Sequence, residues 1–136
     1  MHGENKQVEF KKCTDKVSAS VYETVCSFLN AEGGYIFLGV DDDGTILGIN
    51  PKCVTDMTKS IINTLNNPEQ FLPPMPITPE QTEIDGKIIL YLNVPESEQV
   101  HRYKNRFFDR WGDADNDVSK HTYLVKNMFM RKEKES

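Results

Sequence analysis

Gly33-Gly34-Tyr35-Ile36-Phe37-Leu38-Gly39-Val40-Asp41-Asp42-Asp43-Gly44 sets the architecture of the chain. Its middle, Tyr35 to Val40, is a nearly continuous apolar run of β-favouring residues, the pattern of a strand covered on both faces, and so belongs at a sheet centre. The double glycine before it supplies the left-handed backbone at which a helix stops and the chain reverses. Asp43-Gly44 is the signature of a tight hairpin, which predicts that Thr45 to Ile49 returns antiparallel, with Asp41 at the strand's end.

Upstream, Val17, Val21, Val25, Phe28 and Leu29 recur at helical spacing with one buried stripe, and Thr14 or Asp15 is the candidate N-cap. Before that helix, Val8 and Phe10 alternate with Glu9 and Lys11, a period-2 pattern that reads as a strand with one apolar face. Downstream, Asn50 and Pro51 read as N-cap and first helical residue. Val54, Met57, Ile61, Ile62 and Leu65 then form a second amphipathic helix closed by Pro68. The stretch 69–79 is proline-rich and reads as a rigid loop. Ile77 to Ile84 and Lys87 to Val94 flank Asp85-Gly86, a second hairpin signal. Arg106 to Trp111 reads as the last strand, Gly112 to Asp117 as an acidic loop, and Leu124, Val125, Met128 and Phe129 as a third helix that ends in the charged tail Arg131 to Ser136.

These elements predict an α+β domain: a mixed, largely antiparallel sheet of about six strands, two main helices packed on it, and a C-terminal helix. The 136 residues suit one core, since a globule of that length buries roughly 68–70% of its unfolded surface. The domain is expected over residues 4–119, with 120–136 as the terminal helix and a linker to any further domain. No repeat or low-complexity tract interrupts it.

The longest apolar run, Ile88 to Leu92, is too short to span a bilayer, and no apolar stretch follows a basic one at the N-terminus. Cys13, Cys26 and Cys53 are odd in number and form no CxxC pair, which argues against a disulfide scaffold or zinc ribbon and for a reducing, cytoplasmic setting. The net charge of −5 is not that of a protein coated in positive charge. The cations are nevertheless clustered: Lys6, Lys11, Lys12 and Lys16 at the start, and Arg102, Lys104, Arg106 and Arg110 later.

Glu4 with Val8-Glu9-Phe10-Lys11, Val25-Cys26-Ser27-Phe28-Leu29-Asn30 leading into the double-glycine strand, and Ile46-Leu47-Gly48-Ile49 together resemble the Schlafen/Alba-like domain of bacterial transcriptional regulators and Schlafen proteins. Val94-Pro95-Glu96-Ser97 and Arg110-Trp111-Gly112 are similar to its closing features. The family's usual Ala-Phe-Ala-Asn stands here as Ser27-Phe28-Leu29-Asn30. The resemblance covers residues 4 to 119 and implies contact with DNA or RNA, for which the clustered cations Lys11, Lys12, Arg102, Lys104, Arg106 and Arg110 are the candidate contacts. In the Schlafen branch three carboxylates form an endoribonuclease centre, and by motif they match Glu4, Glu9 and Asp41. Such a trio suits Mg²⁺ or Mn²⁺, which can activate water and polarise a phosphodiester. A plain alternative stands beside it: Glu4 solvated, Glu9 paired with a nearby lysine, and Asp41 capping the Asp-Gly turn.

Three function readings follow: a nucleic-acid-binding domain of a transcriptional regulator, a metal-dependent endoribonuclease, and a structural or self-associating domain that uses the terminal helix. Arg102 to Phe108 interleaves basic and aromatic residues, which could join phosphate contact to stacking, with Phe107 or Phe108 otherwise facing the core. Asp113, Asp115 and Asp117 lack the glycine and bidentate glutamate of an EF-hand, and no GxxxxGK[ST] loop is present. His2, His101 and His121 lack partners at ligand spacing and read as surface residues, and Trp111 reads as packing.

Overall fold

The computed structural model describes residues 6–135, the side chains of 134 and 135 excepted. The elements run β1 (Gln7–Lys11), α1 (Ala19–Asn30), β2 (Gly34–Leu38), α2 (Val54–Leu65), β3 (Phe71–Leu72), β4 (Glu80–Ile84), β5 (Lys87–Val94), β6 (Arg102–Tyr103), β7 (Phe108–Trp111), β8 (Ala114–Asp117) and α3 (Thr122–Glu135). The α+β class expected from the patterning holds, with a mixed main sheet ordered β1-β2-β5-β4 and two small ribbons, β3-β6 and β7-β8. In the main sheet β1 is parallel to β2, and the other pairings are antiparallel.

β2 lies inside the sheet, as its apolar run requires, but only one of its faces is covered. Gly34, Ile36 and Leu38 are buried and alternate with half-buried Tyr35 and Phe37. The covered face forms one core with Leu90, Leu92 and Val94 of β5, α1 residues from Val21 to Leu29, and Val54, Met57, Ile61 and Leu65 of α2. The other face carries the aromatic residues outward, a departure from the two-sided burial that an apolar run implies. β1 shares this arrangement: Val8 is 49% exposed, so its apolar stripe belongs to the open face.

α1 starts at Ala19 after Ser18 and not at Val17, and it ends at a backbone turn whose tightness explains the double glycine. Gly33 has φ +78, and a Cβ there would lie 2.5 Å from the Val94 carbonyl. At Gly34 a Cβ would lie 2.5 Å from the Phe28 ring and 2.8 Å from the Gln7 carbonyl. Side chains are excluded because the end of β5 closes on Gly33, and α1 and β1 close on Gly34.

The helix is buried on nearly every side, not along one stripe. Its polar residues Thr24, Ser27 and Asn30 are wholly buried, each hydrogen-bonded, as burial demands. Thr24 and Ser27 donate to Asp115, and Asn30 donates to the carbonyls of His101 and Phe108. The covering element is the β7-β8 ribbon, so the stretch 112–117, expected as an acidic loop, is largely a strand. Its hydrogen-bonding carboxylate stands inward, opposite Arg110. From Arg131 to Glu135 the predicted charged tail is likewise part of α3. Arg131 donates to the Asn30 carbonyl at 2.8 Å, and Lys132 to those of Leu29 and Ala31 at 3.2 and 3.4 Å. Cations at the C-terminus of α1 complement its dipole and its unpaired carbonyls.

Asp85 (φ 52) and Gly86 (φ 76) make the expected primed turn between β4 and β5. The return after Asp43-Gly44 is slighter than predicted: Ile46 forms one bridge with Val40, and Leu47 and Gly48 donate to the Gly39 carbonyl. Asn50 heads a turn, its side chain accepting from the Lys52 N–H, and α2 proper begins at Val54. Two side chains reverse their expected places. His101 is 2% exposed, between the Pro73 carbonyl and the Ser97 hydroxyl, and Trp111 is 48% exposed on the ribbon. His121 is exposed as expected, whereas His2 lies outside the described residues. No described helix is long and apolar enough to cross a membrane.

Candidate nucleic-acid interface

Glu9 and Lys11 stand on one face of β1, turned toward the β7-β8 ribbon. Arg110 on β7 reaches across, with its side chain only 4% exposed. Its guanidinium donates to Glu9 at 2.8 Å, Asp115 at 2.7 Å and Gln7 at 2.7 Å, and it lies 4.9 Å from the centre of the Phe28 ring. Burial works against the charge, but the two carboxylates outweigh it and hold the Arg110 pKa above its ordinary value. Lys11 adds a looser contact to Glu9 at 3.9 Å. The structure thus gives Arg110, expected at the nucleic-acid surface, an interior place that ties β1 to the ribbon and to α1.

Of the carboxylate trio, Glu4 lies outside the described residues. Glu9 is held by Arg110 and Lys11. Asp41 pairs with Lys12 at 3.6 Å, accepts from the Asp42 N–H at 2.8 Å, and receives the Gly44 N–H on its carbonyl. The register sets Glu9 beside Ile36, so Asp41 comes five residues further along. Among the described residues no group of three His, Cys, Asp or Glu side chains could hold a metal ion. Glu9 is thus engaged chiefly by Arg110, and Asp41 by Lys12 and its own turn.

The second basic segment is divided. Arg106 bridges Glu23 at 3.2 Å and Asp117 at 3.5 Å. Asp117 is held below the usual carboxylate range: partial burial opposes this, and the Ser119 hydrogen bonds and Arg106 prevail. Arg102 lies over the Phe107 ring at 5.9 Å, and Lys104 over Tyr103 at 5.4 Å. Among the described residues neither has an acidic partner. Phe108 is buried and Phe107 packs beside the small cluster of Val100, Val118 and Met128, so the aromatics of the segment serve the core.

The first basic segment makes a cleft. Between the end of β1 and the start of α1 lies an open cavity of about 470 Å³ lined by Lys11, Lys12, Lys16, Thr14, Ser18 and Ser20, with Cys13 and Asp15. Ser18 takes the N-cap position without a side-chain bond to the helix backbone, and the first turn of α1 carries no acid. Its hydroxyl instead meets Ser20 at 2.9 Å. Lys12 is 65% exposed despite its contact with Asp41, and Lys16 is exposed. Lysine charge, hydroxyls and the positive end of a helix dipole therefore share one opening, the combination that receives a phosphate oxygen. Neither the Lys12–Asp41 pairing nor the late start of α1 can be read from linear spacing, so the sequence shows the cleft only as a local excess of lysine.

The profile of the Schlafen, AlbA_2 family matches residues 4–119. No curated protein matches the chain. Among solved structures, the DIP2311 protein from Corynebacterium diphtheriae superposes with a TM-score of 0.64 at 15% identity, covering 92% of this chain and 27% of its own. At that identity the likeness is one of fold. The N-terminal domain of a RecG-related protein from Nitrosomonas europaea superposes with a TM-score of 0.52 at 26% identity, over 69% of this chain and 65% of that one. The chain spans less than two thirds of either structure.

Proposed function

The chain belongs to the Schlafen, AlbA_2 family, and on that premise we propose that it is a nucleic-acid-binding domain of a bacterial transcriptional regulator that grips the phosphate backbone at the lysine-lined cleft between β1 and α1. The observation that carries this reading is the convergence of Lys11, Lys12 and Lys16 with the uncapped first turn of α1 around one opening. The neighbour named for its relation to an ATP-dependent DNA helicase supports the same class of partner. Arg102 and Lys104 supply a second set of cations for the backbone.

The net charge of −5 makes the contact local. Long-range attraction is weak, and the favourable term is release of counterions from the few phosphates that reach the cleft. Lys12→Glu with Lys16→Glu reverses both exposed charges and leaves the core untouched. In a fluorescence anisotropy titration with labelled DNA and RNA at low salt, wild-type protein is expected to bind saturably and the double variant to bind at least about tenfold more weakly, since each lost phosphate contact removes a counterion-release term. Equal affinity of the two proteins would remove the cleft from the account.

A further inference from the structure

The open face of the main sheet carries a built row of rings. Phe10 on β1 registers with Phe37 on β2, and Phe37 with Tyr91 on β5. Residues side by side on neighbouring strands point to the same face, so the three rings form a ladder across the sheet, with centres 6.2 and 5.7 Å apart. A second row, Val8, Tyr35 and Asn93, lies beside it, and the Tyr35 and Phe37 rings are stacked at 26°. All four rings are half-buried, yet none belongs to either core cluster. A sheet with helices on one side ordinarily turns polar residues outward on the other. Here Phe10, Tyr35, Phe37 and Tyr91 stand at outward positions.

We propose that this face is a stacking platform for the unpaired bases of a single-stranded nucleic acid. The inference rests on the nucleic-acid reading above and names the form of nucleic acid that the domain prefers. Cations and acids are placed to orient such a strand. Lys6 lies 5.4 Å from the Tyr35 ring centre and donates to Asn93 at 3.1 Å, at one end of β1. Lys12 stands just past the other end, roughly 20 Å away at strand spacing, and contributes to the phosphate cleft. On the opposite side Glu80 registers with Tyr91 and repels phosphate from the β4 edge. A backbone along β1, from Lys6 toward Lys12, would lay its bases inward over Tyr35, Phe10 and Phe37. Every base has a π-face, so such stacking tolerates sequence, and the Asn93 amide adds a polar contact at the rim. A duplex keeps its bases stacked on one another and has none to offer.

The test compares a labelled ten-residue oligothymidylate and oligouridylate with a duplex of equal length, using wild type and Phe37→Leu/Tyr91→Leu, which keeps apolar cover and removes the rings. Single-strand binding is expected to weaken about five- to tenfold in the variant, with duplex binding unchanged. In wild type, NMR signals of the Tyr91 and Phe37 ring protons are expected to shift on addition of oligothymidylate, a readout independent of the variant's folding. Unchanged single-strand affinity in a folded variant, or unmoved ring signals, would overturn the platform and leave the cleft reading standing. Absence of binding to every oligomer would overturn both. Concentration-dependent self-association that the double substitution abolishes would assign the face to a second copy of the chain instead.

Discussion

Arg110 carries more of the local architecture than any other side chain near β1. It satisfies Glu9, Asp115 and Gln7 at once and stacks on Phe28. Its removal leaves two carboxylates facing each other, partly shielded from water. Arg110→Met is expected to destabilise the fold by about 3 kcal/mol, the scale of breaking a buried ion pair from one side, as read from urea denaturation. A loss under about 0.5 kcal/mol would be that of a surface pair and would contradict its interior role. Such a residue is hard to place from sequence because its partners lie 103 and 101 positions upstream and five positions downstream, and only the downstream one sits within local reach. Glu9 with Lys11 was legible because strand periodicity puts them on one face. His101 was not, for nothing around it in sequence reveals that Pro73 and Ser97 close over it. Burial holds its pKa below 6.5, so the unfolded chain takes up that proton more readily than the native one. Stability from this site is therefore full above about pH 6.5 and falls as the pH drops through that value. An NMR titration of the imidazole should place its midpoint below 6.5, and a midpoint above 6.5 would reverse the sign. Burial also pushes the Cys26 thiol up to about 12, which leaves it protonated and unreactive at neutral pH.

Among the elements, β2 and the β4-β5 hairpin were legible because their signals are short-range: an apolar run between punctuating glycines, and Asp85-Gly86 with positive φ at both positions. The β7-β8 ribbon and the last turn of α3 were hidden for the opposite reason. Asp115, Arg131 and Lys132 look solvated by composition, and partners on α1 turn them inward. α1 is the hub, and its junction with β2 tolerates no side chain. Gly34→Ala places a methyl 2.5 Å from the Phe28 ring and 2.8 Å from the Gln7 carbonyl. The expected cost is about 1–3 kcal/mol, visible as a lowered thermal midpoint. An unchanged midpoint would mean that β1 and α1 can separate there freely. The misjudged burial of β2 has a physical source as well. Tyr and Phe favour strands whether a helix or a ligand covers them, so an aromatic run reports strand identity and not the number of covered faces.

At the scale of the whole molecule the sequence charge is acidic, and part of the cation content is paired with carboxylates. Lys11, Lys12, Arg106 and Arg110 all have carboxylate partners. Lys12 stays largely exposed beside Asp41 and lines the α1 cleft with Lys16, Lys6 stands beside Tyr35, and Arg102 with Lys104 lies on β6 and its turn, while Lys52, Lys59, Lys87, Lys120 and Lys126 are exposed elsewhere on the surface. Clustering of lysine along the chain showed where the first of these would lie, while pairing across the fold decided which cations stayed available. The family was legible from the block between Gly33 and Gly48, since turn geometry and close packing leave those residues little freedom. On the reading proposed above, contact with nucleic acid is a contact of few charges, and this has a direct signature. The dissociation constant for a labelled single strand, measured by anisotropy from about 20 to 200 mM salt, is expected to rise with a log–log slope of about +2, the value for some three neutralised phosphates. Affinity that is absent at the lowest salt, or unaltered across the series, would contradict the account.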